Sequence, residues 1–63
     1  MQLNENKLAR VLSEQGRKKS WLAEALNVDR STITRWVKGE TTPRHFRKAE
    51  IARLLGLPVK ELF

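Results

Sequence analysis

The chain has 63 residues, no cysteine, and 13 Lys and Arg against 7 acids, for a formal net charge of +6. A chain this short makes one domain (1–63) that buries only roughly 60% of the surface its unfolded form exposes, and without cysteine neither disulfides nor thiolate metal sites can support it. The charge favours a polyanionic partner, nucleic acid first; no apolar run approaches the ~20 residues of a membrane span and residues 1–6 lack a basic-then-apolar leader, so a soluble, cytoplasmic protein is expected.

Asn4 is placed to cap a first helix running to about Gln15, and Leu3 stands five positions before Leu8, the spacing of a hydrophobic staple. Leu8, Val11 and Leu12 recur at i, i+3 and i+4, a stripe that Gln15 would extend, while Lys7, Arg10 and Glu14 point elsewhere. Gly16 stops this helix. Arg17, Lys18 and Lys19 form a basic connector, and the pattern alone divides evenly between a solvated linker and a binding element.

Residues 19–39, KSWLAEALNVDRSTITRWVKG, read as two short helices around a tight turn. Leu22, Leu26, Val28, Ile33 and Trp36 fall where a helix-turn-helix is apolar, and Ala23 is small where the helices cross. Asn27 stands where a left-handed residue is required, and Asp29 is set to cap the second helix of the pair. On that helix Ile33 and Trp36 face inward, which leaves Arg30, Ser31, Thr32, Thr34, Arg35 and Lys38 on or near the solvent side.

After Gly39 comes a loop, with Thr42 placed to cap and Pro43 to open a fourth helix that runs to Leu55. Phe46, Ala49, Ile51, Ala52, Leu54 and Leu55 make a broad apolar face, and Arg44, Arg47, Lys48, Glu50 and Arg53 cover the rest. Gly56 ends that helix, and Pro58 leads a short fifth one in which Val59 and Leu62 repeat at i, i+3. The fold class is all-α, with five helices. His45 is the only histidine and stands among Arg44, Arg47 and Lys48; with no phosphate loop and no metal-ligand spacing, neither catalysis nor a cofactor is expected.

From Leu8 to Leu62 the chain resembles the repressor and Cro family of phage and bacterial regulators, most strongly in LAEALNVDRSTITRWVKG. The resemblance implies a five-helix lambda-repressor-like bundle that binds double-stranded DNA as a symmetric, weak homodimer. On the reading surface Arg30, Ser31 and Arg35 match the family's main base-reading positions, with Thr34 beside them; Arg can donate twice to guanine, and Thr offers a short bond or a methyl contact. Thr32 and Lys38 match positions more often used on phosphate. Lys19 matches the phosphate contact that opens the first motif helix, and Arg44 is placed to meet phosphate from the following loop. Glu40 runs against this, standing where the family often has a basic or neutral residue. The dimer contact is expected at Leu57, Pro58, Val59 and Lys60.

Two positions depart from the family pattern. Many members bury an Arg late in the first helix against a Glu late in the recognition helix, whereas the matching residues here are Leu12 and Val37, a joint change that a packed core tolerates. Trp21 replaces a commonly polar residue, and either covers the Leu12 and Val37 region or serves as a surface contact. A protein-interaction or antitoxin-like module is the rival reading, favoured by any large apolar patch around Trp21 and Phe63. RNA binding is weaker, for want of an exposed aromatic platform.

Overall fold

Four α-helices and one 3₁₀ turn follow one another: α1 (Lys7–Glu14), α2 (Lys19–Leu26), α3 (Arg30–Lys38), α4 (His45–Leu55) and the turn Val59–Glu61. The computed structural model describes residues 7–63, so the Asn4 cap and the Leu3 partner of Leu8 lie outside the described residues. Among these residues there is no strand, and the all-α expectation holds.

Each helix stops where a residue enters the left-handed region. Asn27, at φ 59° and ψ 47°, ends α2, and the N–H groups of Asn27 and Val28 reach back to the carbonyls of Glu24 (3.2 Å) and Ala23 (3.0 Å). These bonds satisfy carbonyls that have no partner inside the helix, and they reverse the chain in two residues so that α3 packs on α2. Gly39 does the same for α3 at φ 80°, a conformation that a Cβ would strain. α1 and α4 end likewise at Gly16 and Gly56.

The core takes Leu8, Val11 and Leu12 from α1, Leu22, Ala23 and Leu26 from α2, Ile33, Trp36 and Val37 from α3, Ile51 and Leu55 from α4, and Leu62 from beyond the 3₁₀ turn. Leu8, Leu22, Ile33, Ile51 and Leu62 are fully buried, each removing side-chain surface worth ~1.5–3 kcal/mol. No residue with a charged or fully polar side chain is buried among the described residues.

The fifth helix is not α-helical. Its N–H groups bond three residues back, Glu61 to Pro58 and Leu62 to Val59, both at 2.9 Å, because Pro58 and the three residues after it are too few to repay α-helix nucleation. The turn nonetheless swings Leu62 fully into the core while Val59 stays 38% exposed. α4 also begins later than expected. Pro43 is buried ahead of the helix, Thr42 is exposed, and Arg44 holds the cap position with φ −70° and ψ 166°.

The apolar face of α4 is narrower than its composition suggests. Ile51 and Leu55 are buried with Ala52 beside them, but Phe46 is 59% exposed, Leu54 37%, and Ala49 is exposed. With only α2 and the 3₁₀ turn packed closely on it, α4 has one stripe to cover. Gln15 leaves the α1 stripe as well: it is exposed, and its Nε2 donates to the Leu55 carbonyl at 3.0 Å.

Candidate nucleic-acid interface

α3 packs on α1 and α2 through Ile33, Trp36 and Val37, so its opposite side is left open. Arg30, Ser31, Arg35 and Lys38 are exposed, and Thr32 and Thr34 half-buried. At about 100° per residue, Ser31 sits at the middle of the open arc between Lys38 and Arg35, with Arg30 and Thr34 toward one edge and Thr32 at the other. Thr34 Oγ1 donates to the Arg30 carbonyl at 3.2 Å. Its proton is thereby occupied, and what remains for a ligand is a methyl group and an oxygen acceptor.

Asp29 holds the N-cap position of α3, but its side chain makes no capping bond; the carbonyl of Asp29 instead accepts from the N–H groups of Thr32 (3.0 Å) and Ile33 (3.4 Å). α2 and α4 open on Lys18 and Arg44, with no side-chain cap and no acid in the first turn. Their N-termini therefore keep the partial positive charge of the helix dipole beside a full cation.

Among the described residues the only salt bridge is Arg47 with Glu50, at 3.0 Å. Lys19, Arg30, Arg35, Lys38 and Arg44 make no salt bridge among the described residues. Four basic side chains surround one concavity of about 560 Å³, with Arg17 and Lys18 of the connector and Lys19 of α2 on one side and Arg30, followed by Thr34, on the other. Leu12 (4% exposed) and Val37 (5%) both line it from the core. Trp21 does not line it. The indole is half-buried against the core, and the Arg17 guanidinium stacks over its ring, Cζ lying 4.4 Å from the centroid.

The residues expected at a subunit contact lie apart from this surface. Leu57 is half-buried against the core, while Pro58, Val59 and Lys60 are exposed, and the Lys60 carbonyl accepts a bond from Lys7 Nζ at 3.0 Å. Glu40 and His45 are exposed. Two of the interactions without a counterpart in the sequence reading bear on the motif. The Arg17 stack on Trp21 follows an i, i+4 spacing that pattern alone could have flagged; the Arg47 bond to the Leu26 carbonyl, at 3.0 Å, has no local signal at all.

Two short helices joined through a left-handed Asn27, the second laid open along a polar and cationic side, define a helix-turn-helix domain. The sequence model of the helix-turn-helix family matches residues 7–62, and the chain belongs to that family in its repressor and Cro-like form, a binding domain and not an enzyme. The crystal structure of a candidate DNA-binding protein from Bacteroides fragilis is similar at a TM-score of 0.84 and 30% identity, over 90% of this chain and 92% of that one. A transcriptional regulator from Listeria innocua is similar at a TM-score of 0.81 and 34% identity over 89% of this chain; this chain spans 52% of that regulator's length. Comparison with curated proteins returns no match. No helix among the described residues is long and apolar enough to cross a membrane.

Proposed function

We propose that this chain, as a single domain over residues 1–63, is a DNA-binding transcriptional regulator acting in the cytoplasm, and that it reads the major groove of double-stranded DNA with α3. The observation that carries this reading is the open side of α3, where Arg30, Ser31 and Arg35 stand exposed and the two arginines make no salt bridge among the described residues. Arg30, Ser31, Thr34 and Arg35 read base edges, and Lys19, Thr32, Lys38 and Arg44 hold phosphates. The relatives described as a candidate DNA-binding protein and a transcriptional regulator support the same class. The rival protein-interaction reading loses its expected patch, since Trp21 and Phe63 are both half-buried against the core.

A domain of this size contacts few base pairs, so the proposal includes a symmetric pair of copies with recognition helices about one DNA turn, ~34 Å, apart. Leu57, Pro58, Val59 and Lys60 form the contact. Stable interfaces bury at least ~1,200 Å² in total, and Val59 is the one large apolar side chain of the four that is exposed. The pair is therefore weak and closes on the operator, acting as a repressor or Cro-like protein by promoter occlusion.

Selection of duplexes from a random pool tests the whole reading. An enriched palindrome with half-sites one turn apart is expected, and a pool that never enriches would overturn the proposal. Sedimentation on the enriched duplex should show two copies bound cooperatively, and Val59→Asp should weaken the cooperativity. One copy per duplex at saturation would remove the dimer and leave the DNA-binding reading standing.

A further inference from the structure

Arg17 precedes α2 by two residues, and its position is fixed from both ends. Its backbone N–H donates to the Leu12 carbonyl at 2.8 Å, tying it to the end of α1. Its guanidinium lies over the Trp21 ring at 4.4 Å from the centroid, and that ring is held in turn by the core. Arg17 is exposed, and although Glu24 lies along the same groove as Arg17 and Trp21, no salt bridge joins them. A guanidinium held over an aromatic face and joined to no carboxylate keeps N–H donors for an anion's oxygens, and its planar fork can take two of them at once.

The same Arg17 lines the concavity that Arg30 and Thr34 of α3 line from the other side. We infer that Arg17 is a backbone-phosphate clamp of this domain and that Trp21 is its positioning residue, so that the basic connector holds one DNA phosphate while α3 enters the groove beside it. The inference deepens the proposed DNA-binding function and rests on that reading. Trp21 touches no DNA in this arrangement. It works by removing rotamer freedom from the arginine before binding, so that less is lost when the phosphate arrives. Lys at position 17 would keep the charge and lose both the fork and the stack.

The test uses the full chain and a duplex enriched from a random pool, with affinity measured across a salt series. Arg17→Ala is expected to weaken binding about tenfold, by the same factor on every duplex, and to lower the slope of log affinity against log salt by about 0.9, one phosphate. Arg17→Lys is expected to keep the slope and lose several-fold in affinity. Trp21→Ala is expected to lose several-fold, Trp21→Phe to recover most of it, and the Trp21→Ala loss to vanish in an Arg17→Ala background, because the ring acts only through the arginine. Helical circular dichroism through a urea titration reports whether each variant is folded. If Trp21→Ala does not fold, Trp21→Phe and the Arg17 variants carry the test, since Arg17 is exposed.

An unchanged salt slope in Arg17→Ala, on a parent that binds DNA, overturns the clamp alone. A loss from the Trp21 variants that persists undiminished without Arg17 overturns the positioning role. A parent that binds no duplex overturns the function and the clamp with it.

Discussion

The Arg47 guanidinium donates from Nη1 to the Leu26 carbonyl at 3.0 Å and, at the same distance, to Glu50 Oε1. Leu26 is the last residue of α2, where carbonyls lack helical partners and the dipole is negative, so an arginine borne by α4 completes the end of α2 just before the turn at Asn27. Arg47→Met, which keeps much of the apolar stem, is expected to lower stability by ~1–2 kcal/mol. Glu50→Gln should cost less than ~1 kcal/mol, as partly exposed ion pairs do. Urea midpoints of the two variants check this, and equal losses would assign the effect to the ion pair instead of the helix end.

Leu12 and Val37 are buried at the floor of one concavity, so a charge at either site loses most of its water, which the exposed cations at the rim offset only in part. Val37→Glu is expected to destabilise by ~2–3 kcal/mol, seen as a fall in Tm of roughly 4–8 °C per kcal/mol for a domain of this size. Adding Leu12→Arg should return part of that loss through the restored pair. A double variant no more stable than Val37→Glu alone would mean that the two side chains do not meet.

The open arc of α3 separates two kinds of contact. Arg30→Ala and Arg35→Ala are expected to change which duplexes are bound, by ~1–3 kcal/mol of discrimination for a bidentate contact. Lys19→Ala should weaken all duplexes alike and reduce the salt slope by about 0.9. If the arginine variants lost the same factor on every sequence, both arginines would be phosphate anchors.

Lys18 and Arg44 occupy cap positions where an acid or a short polar side chain is favoured. Arg44→Asp is expected to stabilise the free domain by ~1 kcal/mol and to weaken duplex binding in the same variant. Paired melting curves with and without duplex would show the two effects with opposite sign. A variant that gains stability and keeps its full affinity would take Arg44 off the phosphate list.

What the sequence made legible is what is local. Asn27 reveals its left-handed turn by residue type, and Leu22, Leu26, Ile33 and Trp36 reveal the motif's core by spacing, because both signals operate within one helical turn. Phe46 and Leu54 read as part of one broad apolar face, yet apolar residues on an eleven-residue helix outnumber what one face can bury, and periodicity cannot say which stripe is chosen. Pro43 looked like a helix start and is instead buried before the cap, since proline serves both roles with the same φ. Arg47 was placed on the solvent side; its partner carbonyl lies 21 residues earlier, beyond any local pattern. The exposure of Arg30, Ser31 and Arg35 followed from period alone, whereas their division between bases and phosphates was a matter of family likeness.

The left-handed residues that close the two motif helices also keep them short: α3 has nine residues and α2 eight. Isolated helices below ~12–15 residues are marginal in water even with favourable composition. A peptide spanning Arg30–Lys38 alone would accordingly be mostly coil, and its side chains would have no common face to present. Sequence preference in this domain is therefore not portable as a segment; it can be transplanted only by exchanging outward side chains on an intact scaffold, with Ile33, Trp36 and Val37 left in place.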